Sequence, residues 1–495
     1  MLERYDEFAV ALPEGLSQQV SDHLLQWQYQ EDLCFAIWRP SEGSHRLTAL
    51  IADLVLPLHG DRNVHGNVGF TADYFVRALA LARQHNAGLA LMHSHLGPGW
   101  QGMSDDDIRA ETGHAGAVKA ATSLPFLGLT IGNDRAWSGR LWLRTAARQY
   151  QEQPVSVVRV VGRGMDLTYH PTLKPMVHYG EELDRTGKAL GPRGWADIAR
   201  MRIGIVGLGS VGSLVSEALA RIGAQNMVLI DFDKIKKKNL DRTAGAFPWD
   251  VGSFKVNVAA EHAQRCATSR NLSISRVIGS VVEDNGYDAA LDCDLLFSCV
   301  DRPWPRRVLN HIAYAHVIPV IDGGILVRLR ADRMIGADWH CHTVAPGRRC
   351  LECLKAYDPS LVAMEMQGLL DDPSYMAQLD PSLPIRIHEN VFPFSMNLAS
   401  LEVMQMLALI LGPIHDLGDQ NYHFSTGSLE RTEDKDCDLA CPYPDIVATG
   451  DNWYRVTGEH LAARQAHAGK ERLGWLGRTV RPVRHLLIRL CHRIS

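Results

Sequence analysis

The sequence has no apolar run long enough to cross a bilayer, no internal repeat and no low-complexity stretch. The first absence argues against a membrane span; the others argue against a repeat array and a compositionally biased tract. Net charge is scarce too. Lys and Arg number 51 against 56 Asp and Glu, a balance of −5, so nothing global argues for nucleic acid. The opening residues, MLERYDEFAVALPEG, carry acids early and lack a basic start followed by an apolar stretch, so no secretory signal is expected. Ten cysteines in 495 residues are too sparse for a disulfide scaffold. They point to a reducing, cytoplasmic setting with thiol or metal roles. What is present is ordinary for a globular chain of roughly two to four domains: 46% hydrophobic and 22% charged residues.

The chain is organised around residues 201–242. An apolar run at 203–206 reads as a buried strand. Gly207, Gly209 and Gly212 form a G-x-G-x-x-G turn. Leu214, Val215, Ala218, Leu219 and Ile222 recur at helical spacing, Gly223 ends the helix, and a second apolar run leads to Asp231. Glycines let a backbone approach a phosphate, and a helix N-terminus offers free N–H groups. The acid is placed for ribose hydroxyls. A mononucleotide-binding βαβ unit is expected, and the motif alone does not separate NAD from ATP.

The first 150 residues read as a separate α/β domain, with a strand at 47–56, a helix at 72–84 and residues 137–142 as its closing strand. An apolar run at 88–92 ends in His93-Ser94-His95, and a Gly/Pro loop then leads to Ser104 and three acids, Asp105 to Asp107. Side chains alternate along a strand, so both imidazoles face one way. Two histidines and one carboxylate leave a fourth zinc position open, the catalytic arrangement, in which bound zinc lowers its water's pKa towards ~7. This stretch resembles the JAMM motif of JAB/MPN metallopeptidases, matched by His93, His95, Ser104 and Asp107. The loop between His95 and Ser104 is one residue longer than usual, which leaves the ligand open among Asp105, Asp106 and Asp107. The resemblance implies that Glu31 is general base and that Ser104 helps to hold an oxyanion.

Residues 151–180 read as a linker that opens with a β-branched, apolar strand at 155–161, and 181–445 as the second domain. After Asp231 come Asp233, Asn239-Leu-Asp-Arg242 and Lys255. Ser298-Cys-Val-Asp301 lies at the end of another apolar run, with Arg306 and Asn310 in the helix that follows. This order resembles the ThiF/MoeB/E1 adenylation family. The fold implied is a Rossmann-like, doubly wound domain. In it Asp231 and Asp233 would lie at the nucleotide, Asn239 at a phosphate or its metal, and Arg242, Lys255 and Arg306 around the phosphates. Asp301 would hold Mg²⁺. Arg185 matches an arginine that reaches ATP in such enzymes, often from a partner subunit, which makes a homodimer the expected state.

Cys350-x-x-Cys353 and Cys437-x-x-x-Cys441 make a second, closed, structural zinc site. Cys34, Cys266, Cys293, Cys299 and Cys491 read as incidental small apolar residues. No cysteine lies between Cys353 and Cys437, where thioester-forming relatives carry their nucleophile; Cys341 is a weak substitute. Residues 354–390 read as a crossover or substrate loop, and the basic tail, 446–495, as loosely packed, with an amphipathic stretch at 484–493. The function expected is ATP-dependent adenylation of the C-terminal glycine of a small ubiquitin-like or sulfur-carrier protein, joined to zinc-dependent cleavage after that glycine. An E2-like protein is a possible further partner. The alternatives are an NAD-dependent oxidoreductase with structural zinc and a non-catalytic carrier-binding scaffold.

Overall fold

Unbroken apolar runs become buried strands in both halves of the chain. The computed structural model describes residues 4–65, 67–330, 333–379, 389–412, 416–433 and 435–468. The N-terminal half runs β1 (Glu7–Pro13), α1 (Glu14–Leu24), β2 (Leu33–Glu42), β3 (Arg46–Val55), the hairpin β4 (Arg62–His65) and β5 (Asn67–Phe70), α2 (Ala72–Gln84), β6 (Gly88–Ser94), α3 (Asp105–Thr122), β7 (Phe126–Ile131), β8 (Trp137–Ala146), β9 (Gln149–Pro154), β10 (Val157–Val161) and β11 (Met165–Tyr169). Among the described residues nine of these strands form one mixed sheet, ordered β11-β10-β1-β3-β2-β6-β7-β8-β9. The helix expected at 72–84 forms with those bounds, its N-terminus capped by the Thr71 side chain accepting from the Tyr74 N–H.

The second half continues with α4 (Asp184–Leu190), α5 (Pro192–Arg200), β12 (Arg202–Val206), α6 (Ser210–Arg221), β13 (Asn226–Ile230), α7 (Lys255–Cys266), β14 (Ser273–Val277), α8 (Asp284–Leu291), β15 (Leu295–Ser298), α9 (Pro303–Ala315), β16 (Val320–Arg330), β17 (Arg333–Val344), α10 (Pro359–Met366), α11 (Pro373–Gln378), α12 (Phe392–Ile410), β18 (Asp419–His423), β19 (Ser428–Thr432) and α13 (Leu461–Ala468). Its sheet is ordered β14-β13-β12-β15-β16-β17-β18-β19. The pairings from β14 to β16 are parallel and the rest antiparallel. The chain winds outward from β12 to β14, then returns to lay β15 on the other side of β12. That reversal opens a crevice at the carboxyl ends of β12 and β15.

The halves share buried surface. Ala11, Leu50, Val161 and Met165 lie in one apolar cluster with Ile203, Ile205 and Leu295. A buried ion cluster sits beside it. Asp294 Oδ1 accepts from Arg46 Nη1 at 2.6 Å and from Arg159 Nη1 at 2.7 Å, and Asp294 Oδ2 from the Arg202 N–H at 2.8 Å. Glu7 pairs with Arg46 and Arg202. Ser41 Oγ and Tyr287 Oη bond opposite nitrogens of His316, at 2.7 and 2.9 Å. The Arg46 and Ser41 contacts lie at the Glu42 end of β2; at its other end Leu33 pairs with His93.

Several expectations change. Residues 151–180 are a linker only beyond Tyr169, because β10 pairs in parallel with β1 and β11 closes the hairpin, while the polar β9 forms the opposite edge. Residues 137–142 are therefore an interior strand. Within 354–390 the Asp-Pro steps start helices: Asp358 and Asp372 cap α10 and α11 by accepting from Ser360 and Ser374 N–H groups, with proline at the first helical position. Residues 380–388 lie outside the described set. Among the described residues one helix, α12, is long and apolar enough to cross a membrane by length and composition. Here it packs on α6, β16 and β17 and carries Glu402 and Gln405 buried. The tail packs closely up to α13, with His460 buried against Phe232 and Trp304 and Arg455 paired to Asp288 and Asp451. Residues 484–493 and Cys491 lie outside the described residues.

Burial alone would raise the Glu7 carboxyl, but Arg46, Arg202 and Lys174 outweigh it and pull it down to about 2. A depressed carboxylate stabilises the fold above its unfolded pKa, and that contribution disappears as pH falls through the folded one. Stability should therefore drop by on the order of 3 kcal/mol between about pH 5 and pH 2 from this group alone. Urea unfolding across that range should show the drop, and Glu7→Gln should flatten it. Removing Asp294 leaves two arginines buried without their acid, so Asp294→Ala should cost about 3–5 kcal/mol at neutral pH in the same assay.

Candidate functional site

At the crevice, Gly207 has φ +88°, and a Cβ there would lie 2.5 Å from the Cys299 carbonyl oxygen; on Gly212 it would lie 1.9 Å from the Gly207 oxygen. Both must be glycine for the turn to close. Gly209 differs: a Cβ there would meet nothing within 4 Å. It stands at the N-cap of α6, where no side chain caps the helix, so the space beside the first turn is open. That is room for a phosphate to approach the backbone.

Asp231 is buried at the tip of β13. Its two oxygens accept from the Leu208 N–H at 2.7 Å and the Asp233 N–H at 2.7 Å, which braces the glycine turn against the strand. Lys255 Nζ bonds Asp233 Oδ2 at 2.8 Å and lies 3.9 Å from Asp231. Burial works to lower its pKa, but the Asp231 and Asp233 carboxylates hold it above the ordinary lysine value. Asp301 is exposed just beyond β15, and its charge also reaches Lys255. Asn239 accepts from the Lys236 N–H, closing a turn, and Arg242 bonds the Lys238 carbonyl and Asp241. Arg185 is exposed on α4.

Two residues expected at the phosphates or in their motif have structural partners instead. Arg306 gives its guanidinium to the Gly323 and Ala356 carbonyls and to buried Asp322, fixing the start of β16. Asn310 accepts from the Leu351 N–H and braces the turn at Cys350. Cys341, weighed as a substitute nucleophile, is fully buried on β17, and burial pushes its thiol well above the usual range. The sequence reading missed Glu402. It lies fully buried on α12, accepts from Cys299 Sγ at 3.5 Å, and is pushed well above its usual pKa by burial and by Asp322. A lone acid in an apolar helix was its signal.

The four cysteines converge, their sulfurs all within 4.8 Å of one another. Cys350 Sγ is 3.6 Å from Cys441 Sγ, close to the ~3.8 Å edge of a tetrahedron with ~2.3 Å metal–sulfur bonds. Backbone N–H groups of Cys350 and Cys353 point at the Cys437 and Cys350 sulfurs. Hydrogen bonds from the Cys350 thiol and the Tyr314 hydroxyl outweigh burial and hold Cys437 below the ordinary thiol value. The donor set fits zinc.

In the N-terminal half, His93 is the last residue but one of β6 and His95 lies just past it, both turned to Asp107 in the first turn of α3. His93 Nε2 lies 3.1 Å from His95 Nε2 and 3.7 Å from Asp107 Oδ1, and His95 Nε2 lies 3.4 Å from Asp107 Oδ2. Nitrogen and oxygen ligands at ~2.0–2.1 Å from a tetrahedral zinc stand ~3.3 Å apart, so these atoms fit one ion. Asp105 and Asp106 are exposed, which selects Asp107 among the three acids. Ser104 forms a capping box with Asp107. Its hydroxyl donates to Asp107 Oδ2 at 2.8 Å and accepts from the Asp107 N–H, while its own N–H meets the same carboxylate. Burial, Arg140 and His95 push His93 down to about 3, so its ring is neutral, as a metal ligand must be. Burial and the Asp107 charge raise Glu31, at the entry to β2, above the usual glutamate value. Beneath the site lies a network the sequence reading missed. Buried Glu111, one turn beyond Asp107, accepts from Arg140 and from Trp142 Nε1; Arg140 Nη1 bonds Thr130 Oγ1, which lies 3.4 Å from His93 Nε2.

The contrast among the glycines is testable. Gly212→Ala should lower unfolding free energy by about 1–3 kcal/mol, because carbonyl and methyl cannot share the space. Gly209→Ala should change it by less than about 1 kcal/mol. Urea titration of both variants checks this.

The ThiF family pattern matches residues 183–437. The SAMP-activating enzyme E1 of Haloferax volcanii is 25% identical over 188 residues, 37% of this chain and 66% of that protein. Molybdopterin-synthase adenylyltransferase of Escherichia coli is 31% identical over 155 residues, 31% of this chain and 58% of that one. The chain thus spans between about half and two thirds of the length of these curated relatives. Among solved structures, E. coli MccB with ATP aligns with a TM-score of 0.41 at 17% identity, covering 53% of this chain and 74% of that one. The family pattern begins just before α4, takes in the glycine turn and ends at Cys437, the third residue of the four-cysteine cluster, more than half of the sequence, and on that match the chain belongs to the ThiF family.

Proposed function

We propose that this chain uses ATP to adenylate the C-terminal glycine of a small ubiquitin-like or sulfur-carrier protein. The observation that carries this reading is the open Gly209 at the start of α6, flanked by Lys255 and the exposed Asp301. The names of the relatives support it: an E1 activating enzyme, a molybdopterin-synthase adenylyltransferase and a sulfur carrier protein ThiS adenylyltransferase. In the reaction a carboxylate oxygen of the glycine attacks the α-phosphorus, the bond to the bridging oxygen breaks, and pyrophosphate leaves. The α6 N–H groups hold phosphate oxygens, and Lys255 exchanges an aspartate partner for phosphate. Asp231 holds the ribose, with Asp233 beside it, while Asn239 and Arg242 close the crevice from their loop. Asp301 would hold Mg²⁺, which offsets phosphate charge when bound. No cysteine follows Cys353 before Cys437, so the charged carrier passes directly to its acceptor, with an E2-like protein as one possible acceptor. Arg185 reaches the crevice of a second copy in a homodimer, and the setting is cytoplasmic.

We further propose that residues up to Tyr169 form a JAB/MPN-like metallopeptidase domain that cuts after the same glycine. Its support is the fit of His93, His95 and Asp107 to one zinc ion, with Ser104 fixing Asp107. Zinc there would supply Lewis-acid activation of water. Glu31, its pKa raised, takes the proton, and Ser104 lies where an oxyanion forms. The four cysteines would hold a second, structural zinc.

ATP–pyrophosphate exchange with small Gly-ended proteins tests the first activity, and release of a carrier from a C-terminal extension tests the second. Asp301→Ala should abolish exchange and spare cleavage. His95→Ala should abolish cleavage, lower zinc content by one ion and spare exchange. Glu31→Gln should cost cleavage about 10²–10⁴-fold without loss of zinc. Affinity for a nicotinamide dinucleotide in place of ATP would overturn the first reading; cleavage that survives His95→Ala would overturn the second.

A further inference from the structure

A third cluster of metal-ligating side chains lies away from both candidate sites, on the outer face of α6 and α7. Glu217 comes from α6; His262 and Cys266 stand one turn apart on α7. One ligand atom from each lies within 4.8 Å of the other two, and all three residues are partly buried. His262 Nε2 is 2.8 Å from Glu217 Oε2 and 3.8 Å from Cys266 Sγ. A single ring nitrogen therefore faces a carboxylate and a thiol at once, and with at most one proton it satisfies one of them. A metal ion uses all three together. Around a tetrahedral zinc a nitrogen and a sulfur ligand stand ~3.6 Å apart and a nitrogen and an oxygen ~3.3 Å. The sulfur is thus nearly in place, and the carboxylate needs to open by about 0.5 Å.

The frame is fixed. Gly245 has φ +72°, and a Cβ there would lie 2.3 Å from the His262 ring, so the ring is in contact with that turn. Thr268, just past α7, bonds the Ala220 and Arg221 carbonyls at the end of α6. Two cations face the cluster. Arg265 is exposed on α7. Arg221 is exposed on α6, bonds Glu217 at 2.8 Å and comes within 3.7 Å of Cys266 Sγ. Arg221 thus supplies from the solvent side the positive charge that acid and thiol attract.

We propose that Glu217, His262 and Cys266 form a site for a zinc-class divalent ion that displaces Arg221. One thiolate, one imidazole and one carboxylate is a donor set for such ions rather than for magnesium or calcium. The fourth position faces solvent. The bound ion clamps the carboxyl ends of the two helices whose amino ends carry Ser210 and Lys255, so it stiffens the crevice walls from behind. The site stands apart from the cysteine cluster and the His93 site, and its failure would leave the proposed activities untouched.

The test uses the full chain equilibrated with zinc and desalted, with zinc content measured for wild type, Cys266→Ser and His262→Ala. Wild type should hold one more zinc ion than either variant, a difference to which the other two sites contribute nothing. Independently, alkylation of the Cys266 peptide, read by mass spectrometry, should slow at least ~10-fold in wild type when zinc is present, and not in His262→Ala. Equal zinc content in all three proteins, or Cys266 alkylation indifferent to zinc, overturns the proposal. The wild-type alkylation rate decides the matter even where a variant folds poorly.

Discussion

At the base of β15 one carboxylate, Asp294, is closed in between guanidinium groups that arrive from the other half of the chain. Arg46 and Arg159 press on one of its oxygens, and the backbone of β12 holds the other. Each of these charges alone would cost several kcal/mol to bury. They can be buried only together, so β3, β10, β12 and β15 must meet in one arrangement. The apolar cluster beside them has no such directionality, since burial rewards area and not register. The ions therefore fix how the two sheets sit, and both candidate sites take their orientation from that joint.

Each candidate site also rests on a buried acid with its own means of tolerating burial. Under His93 the acid is Glu111, paired to Arg140 and given room by Gly128, where a Cβ would lie 2.3 Å from its oxygen. Under the glycine turn it is Glu402, which has the Cys299 thiol as its donor and whose pKa burial and Asp322 raise. One floor is an ion pair and the other an acid held by a thiol donor. Both leave the side chains above them few alternative positions, which preorganised chemistry requires.

Features set by neighbours along the chain are legible in the sequence. Residues 201–231 announce strand, turn, helix and strand through spacing alone. The His93 and His95 pair follows from alternation along a strand, and the Ser104 to Asp107 relation from a helix cap. Features set by distant partners are hidden. Arg46 and Asp294 stand 248 positions apart, and nothing local marks either as half of a pair. Strand β9 is polar along its length because it is an edge, and so it reads as linker. Arg306 is legible as part of a motif, but a motif does not say which way a guanidinium turns, and here it turns to Asp322.

The route of β2 has a consequence for traffic. This strand begins beside the His93 corner and ends against the ThiF half, whose glycine turn lies at the far end of β12. The length of β2, the buried joint and the length of β12 thus lie between the two sites. A folded carrier docked at one port has that joint between its tail and the other port. On the proposed functions, charging and trimming are thus separate visits, and an extended carrier makes the trimming visit first, because only cleavage frees the glycine carboxylate that is charged.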